Sequence, residues 1–185
     1  MRHGVFTASS TEKCNRRSSN LFKDLAEYYT LEKIETELVP FIEGKNNISG
    51  RMCDYVLTTF AKKNFCPAGE YDIRQLYDLT LRESGGRYLF DPFSRISSGI
   101  PVTFSLNDTK FTTTVAQMNF VRWYHRHGIN DFMVKNKRRI SEDMKQTYRR
   151  IKQSSPIGSK RKRQSIGGYD SHNTIVLCAE KIIFL

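Results

Sequence analysis

The feature that most constrains the fold is a change in the period of the apolar residues near Arg87, and a change back near Thr114. Before the first change, apolar residues recur every three or four positions, which is the repeat of a helix with one buried face. Leu21, Leu25, Tyr28, Leu31, Ile34 and Leu38 predict helical pieces ending near Pro40, followed by a loop at Gly44-Lys45-Asn46-Asn47. Ser49 is placed to cap a helix through about Lys63, with Met52, Tyr55, Val56, Thr59 and Phe60 on one face. Cys66-Pro67-Ala68-Gly69 breaks the chain, Asp72 to Arg82 is helical again, and Ser84-Gly85-Gly86 stops it.

Between the two changes the runs are short, aromatic or β-branched, and bounded by turn residues. Tyr88-Leu89-Phe90, Ile100 to Phe104 and Lys110 to Thr113 read as strands, with Asn107-Asp108 as a hairpin turn. Helical spacing then returns: Thr114 and Gln117 fit a capping box ahead of Val115, Met118, Val121 and Tyr124, and Gly128 ends that helix. Asn130 to Lys137 follows, and Ser141 is expected to cap a third helix through about Lys152. Thr174 to Leu177 and Ile182 to Leu185 read as strand.

The expected class is therefore α+β: helices with a small antiparallel sheet, a helical hairpin and a basic C-terminal extension. Residues 1–20 are expected as a flexible arm, 21–152 as a single domain, 153–170 as a basic linker, and 171–185 as a strand returning to the domain. At 185 residues, with 12 Phe and 9 Tyr, one packed core is within reach. No apolar stretch approaches the roughly 20 residues that span a bilayer, and the N-terminal residues show no apolar signal segment, so an intracellular protein without a membrane span is expected. Cys14, Cys53, Cys66 and Cys178 are scattered, which predicts reduced thiols rather than a disulfide framework. The sequons at Asn47 and Asn107 then carry no weight.

Charge says most about function. Of the net +11, residues 113–185 carry +10, from 15 Lys and Arg against 5 Asp and Glu. The cations concentrate at Lys135, Lys137, Arg138, Arg139, Lys145, Arg149, Arg150 and Lys152, then at Lys160, Arg161, Lys162 and Arg163. Only Glu142 and Asp143 oppose them. Such clustering is costly through self-repulsion and is the footprint of a polyanion-binding surface. On a helix from Ser141, Lys145 and Arg149 lie one turn apart and offer phosphates a cationic face.

Other constellations add little. The helix-glycine-helix outline from Thr114 to Lys137 is that of a helix-turn-helix, though any helical hairpin shares it. Phe120, Trp123 and Tyr124 read as core. His125 and His127, two apart, splay on a helix and do not aim at one metal, so neither a metal nor a cofactor is expected. No motif of a hydrolase, nucleotide-binding loop or zinc protease is present, and Asp54, Asp72, Asp78 and Asp91 give no reason in sequence to converge on a catalytic centre. Asp91-Pro92 between Phe90 and Phe93 predicts a rigid turn, with both rings in the core and Arg95 paired to Asp91.

Three stretches in order, Ile48 to Asn64, Phe90 to Arg95, and Thr112 to Trp123 followed by Ile140 to Met144 and the basic Lys160 to Ser165, resemble a family of small basic proteins of nucleo-cytoplasmic large DNA viruses. The resemblance covers about residues 48–165; it departs in the N-terminal arm and at Ser94, where a cysteine is expected. It implies a viral protein acting in infected cells, in a cytoplasmic factory or the nucleus, or in the virion, and it carries no catalytic residues over. The leading expectation is a non-catalytic protein that binds nucleic acid through phosphates, largely without sequence specificity. The alternative is a minor capsid or other virion assembly protein whose basic segment meets an acidic neighbour or the genome. A third is an interaction protein acting on host factors.

Overall fold

The computed structural model describes residues 6–8, 16–154 and 180–182. In chain order it contains β1 (Phe6–Ala8), α1 (Arg16–Tyr28), α2 (Leu31–Lys33), π1 (Ile34–Leu38), α3 (Val39–Ile42), α4 (Gly50–Tyr55), π2 (Val56–Phe60) and α5 (Ala61–Lys63). Next come β2 (Pro67–Ala68), β3 (Tyr71–Asp72), α6 (Ile73–Glu83), β4 (Pro101–Leu106), β5 (Thr109–Thr114), α7 (Val115–Arg126), α8 (Ile129–Lys135), α9 (Lys137–Ser154) and β6 (Glu180–Ile182). The class is α+β, as the pattern predicts.

Helix α7 organises the packing because it is apolar on two opposite sides. Val115, Met118 and Val121 face one cluster, with Phe22, Leu25 and Tyr29 of α1, Ile34 and Leu38 of π1, and Val102 and Phe104 of β4. Phe120, Trp123 and Tyr124 face the other, with Met52, Val56 and Phe60 of α4 and π2, Leu76 and Tyr77 of α6, and Ile140 of α9. A helix apolar around most of its circumference has to be buried. Its start matches the sequence reading: Thr114 Oγ1 accepts from the Gln117 amide at 3.2 Å. The reciprocal half of the box does not form, since the Gln117 side chain accepts from Thr113 Oγ1 (2.7 Å) and donates to the Pro92 carbonyl (3.1 Å).

Four strands form one antiparallel sheet in the order β5-β4-β1-β6. Asn107 and Asp108, both at positive φ (47° and 62°), make the two-residue turn that suits the twist of a hairpin. Along β4, Val102 and Phe104 are buried while Ser105 is exposed, the alternation of a sheet with one covered face. Strand β1 pairs with β4 on one side and β6 on the other, so Phe6 lies opposite both Phe104 and Ile182.

Several boundaries differ from the sequence reading. The arm expected over residues 1–20 instead supplies β1 and the first turn of α1, where Ser18 is buried. Helical structure also continues through Pro40 to Ile42. Proline lacks an N–H and crowds the carbonyl four residues back; here the preceding turn is widened, with the Val39 amide bonding to the Ile34 carbonyl. In both widened segments a threonine hydroxyl bonds a carbonyl four residues earlier, Thr36 to Glu32 and Thr58 to Asp54, competing with the regular ladder.

Residues 88–90 are turns rather than a strand. Leu89 and Phe90 are neighbours and both buried, which a strand with one covered face does not allow. Phe90 enters the core against Trp123 and Phe120, whereas Phe93 is 48% exposed, correcting the expectation that both rings turn inward. The expected Asp91–Arg95 pair is also absent among the described residues: the Asp91 carboxylate accepts from the Phe93 amide (2.9 Å) and closes the turn locally. The Phe93 ring instead covers Gly50, where an added Cβ would come within 2.9 Å of it. With Gln117 on the Pro92 carbonyl and the Asp91 amide on Ala116 (3.4 Å), three segments distant in sequence meet at one node.

Burial sets the response to pH. It pushes the Tyr28 phenol up to about 12, helped by its hydrogen bond to Glu37, and the Cys66 thiol up to about 11. It also holds His125 and His127 below the usual 6.5. Groups raised in the folded state contribute stability that is present below their unfolded values of 10.0 and 9.0 and lost as pH rises through the folded values. The depressed histidines contribute stability present above 6.5 and lost as pH falls. Thermal unfolding followed by circular dichroism should show a Tm plateau between roughly pH 7 and 9, with a decline on either side. A Tm unchanged from pH 9 to 11 would refute the buried phenol and thiol placements.

Candidate nucleic-acid interface

Helix α9 carries most of the basic run, and it begins earlier than Ser141. The chain turns at Asn136, whose side chain donates to the Phe132 carbonyl (2.8 Å) and whose own carbonyl accepts the Ile140 amide (2.9 Å). Ile140 is fully buried against the core and fixes the helix upstream of the expected cap, so Ser141 lies inside α9.

The anchor is narrow. Ile140 and Met144 pack on the larger cluster, and the Tyr55 hydroxyl donates to Asp143 and lies 2.9 Å from Thr147 Oγ1. Burial, then the bond to Asp143, raises the Tyr55 pKa, so the phenol stays a donor at neutral pH. Further along the same stripe, Tyr148 and Ile151 are 48% and 54% exposed, with the Tyr148 ring still against that of Tyr55.

The candidate residues in the described part are exposed: Lys135 at the end of α8, and Lys137, Arg138, Arg139, Lys145, Arg149, Arg150 and Lys152 on α9. Lys160, Arg161, Lys162 and Arg163 lie outside the described residues. Two cations are engaged within the protein. Arg138 pairs with Glu142 at 3.1 Å, and Arg139 donates to Asn64 Oδ1 at 2.8 Å while lying over the Phe60 ring. The other six have no carboxylate within ion-pair distance among the described residues. They do not form a single face. At about 100° per residue, Lys145, Arg149 and Lys152 fall within about 60° of one another, whereas Arg150 sits about 100° round from Arg149.

At the helix pair around Gly128, α7 is buried on both sides and α8 buries Ile129 and Met133. Three of the four acids considered from sequence are engaged locally. Asp72 caps α6 through the Arg74 amide, Asp78 pairs with Arg74, and Asp91 closes its turn. Among the described residues no cluster of three or more His, Cys, Asp or Glu could hold a metal, and no helix is long and apolar enough to cross a membrane. Sequence reasoning passed over a second cationic group. Arg17, Arg122 and Arg126 line a cleft of about 450 Å³ between α1, α6 and α7. The signal for it was Arg122 and Arg126 one turn apart on a mostly apolar helix.

Residues 6–182 match a family designated DUF7197. The chain belongs to DUF7197, a family of unknown function. The DUF7197 match runs from the first residue of β1 to the last of β6, and these two residues are opposed in the sheet. A protein of Acanthamoeba polyphaga mimivirus, uncharacterized protein L507, is 23% identical over 158 residues, covering 80% of this chain. The chain spans 61% of that viral protein's length. No solved structure matches this DUF7197 chain.

Replacing Tyr55 with Phe removes the hydroxyl that ties α9 to α4, a bond worth on the order of 1–2 kcal/mol. Hydrogen exchange of the amides from 143 to 154 should quicken by about tenfold while α7 is unchanged. Unaltered exchange in α9 would show that the stripe of Ile140 and Met144 holds the helix without Tyr55.

Proposed function

We propose that this protein binds nucleic acid through phosphates, without catalysis and largely without sequence specificity, using α9 and the Lys160 to Arg163 run that follows it. The observation that carries this reading is the set of exposed cations on α8 and α9 without internal counterions. Lys135, Lys137, Lys145, Arg149, Arg150 and Lys152 are exposed, while the two nearby carboxylates are engaged by Arg138 and Tyr55. Every phosphate such a surface neutralises releases a counterion, so affinity depends on salt more than on base sequence. The relative in a mimivirus supports a place in the infected cell, and with it membership in a group of nucleo-cytoplasmic large DNA viruses.

A second reading has its own observation. Tyr148 and Ile151 continue the apolar stripe of α9 into the exposed part of the helix. A minor capsid or other virion assembly protein would use that stripe against an acidic neighbour, with the flanking cations supplying the charge contacts.

Fluorescence anisotropy with a random duplex across a salt series tests the first reading. Log affinity should fall linearly with log salt, and Arg149→Ala should lower the slope by about 0.9. Because Arg149 lies with Lys145 and Lys152, its loss should weaken binding more than Arg150→Ala does. Absence of binding at low salt would overturn the reading in favour of assembly.

A further inference from the structure

The cleft between α1, α6 and α7 has features that neither the core nor the α9 surface explains. Arg122 projects into it from α7, half-buried, and is held in place rather than free. Its Nη2 donates to Asn119 Oδ1 at 2.8 Å, and Asn119 Nδ2 in turn donates to the Leu89 carbonyl at 2.9 Å. Arg126 follows one turn on, and Arg17 enters from α1 with its guanidinium against Gly85, 3.1 Å from where a Cβ would stand. Gly85, at φ +81°, tolerates that approach because it carries no side chain.

None of these three guanidinium groups has a carboxylate within 4.0 Å among the described residues, although Asp24 and Glu83 also line the cleft. Arg122 alone of the three is partly removed from water, which is costly for a cation that meets a neutral amide and no carboxylate, and placing Arg126 one turn away adds repulsion. Burial pulls the Arg122 pKa below its usual value, with Arg126 adding to it and Tyr29 and Asp24 opposing it. Bidentate guanidinium donors fit the oxygens of a phosphate. The carboxylates at the same cleft suit hydrogen-bond donors such as sugar hydroxyls or an exocyclic amine. A volume of about 450 Å³ is in the range of sites for small organic ligands. Trp123 forms part of the wall and is 4% exposed, and its Nε1 is buried with no acceptor among the described residues.

We infer that this cleft is a binding site for a phosphomonoester of nucleotide size, with Arg122 and Arg126 holding the phosphate and Arg17 closing the rim. The phosphate can belong to a free nucleotide or to the 5′ end of a strand. This site shares no residue with α9 and stands or falls apart from the surface proposed there.

The chain has one tryptophan, Trp123, so its fluorescence reports on the cleft directly. The full-length protein would be titrated with adenosine monophosphate, adenosine, inorganic phosphate, and a short single strand with and without a 5′ phosphate. The strands would be tested in an Arg149→Ala/Arg150→Ala background to reduce the α9 contribution, which is the same for strands with and without the 5′ phosphate. A saturable change with adenosine monophosphate or the 5′-phosphorylated strand, weakened about tenfold or more by Arg126→Gln and by Arg122→Gln, is expected. Arg126 is exposed, so its variant reads binding even where Arg122→Gln disturbs packing. Whichever of the two probes binds identifies the source of the phosphate. Equal response to adenosine, saturation by inorganic phosphate unaffected by Arg126→Gln, or no response to any phosphate probe would overturn the assignment.

Discussion

The double-sided burial of α7 is the constraint on which the other elements depend. One side receives α1 and the sheet, the other receives α4 with π2, α6 and α9, and polar groups lock the helix at defined points. Tyr29 donates its hydroxyl to the Met118 carbonyl (2.8 Å), and Asn119 holds the Leu89 carbonyl. Because the two clusters share this wall, a change to Phe120 or Val121 acts on a boundary rather than on one pocket. The same arrangement explains why a helix with Arg122 and Arg126 on it lines a cleft. Both apolar sides are covered, and its remaining strip opens between α1 and the end of α6.

Features fixed by local chemistry were legible. Ser49 and Thr114 each accept an amide at the start of the helix they cap, and Asn107-Asp108 adopts the positive φ pair that a tight hairpin demands. Features fixed by tertiary contact were not. Phe93 differs little from Phe90 as a sequence neighbour of the turn, yet only Phe90 meets the Trp123 and Phe120 rings. Ser141 looks like a cap until Ile140 is seen buried, which requires the helix to have started already. Strand β1 shows no alternation worth reading in three residues, and exists by pairing with β4 and β6, the latter from the far end of the chain. Pro40 ends a helix in isolation but is accommodated here by a widened turn.

The candidate surface was legible as charge and illegible as shape. Composition identifies the segment where positive charge accumulates, since that needs only counting. It does not reveal that Arg138 and Arg139 are already engaged, or that Arg149 and Arg150, adjacent in sequence, point to different flanks. The cleft cations were hidden for another reason. Arg17 sits in a stretch without periodicity, and Arg122 and Arg126 lie on a mostly apolar helix far in sequence from it, so nothing local links the three.

The two cationic places work by different physics. On α9 the side chains are long, exposed and surrounded by water at high dielectric, where each charge contributes little except by releasing counterions from a polyanion. Such a surface accepts many sequences because nothing fixes the geometry of its donors. At Arg122 the guanidinium is oriented before any ligand arrives, through Asn119 to the backbone of Leu89, and is partly removed from solvent. Preorganised donors at lower effective dielectric discriminate by position, and they favour a compact anion over an extended one. Under the two proposals, the chain would hold a polymer loosely along α9 while selecting a single phosphate in the cleft beside α7.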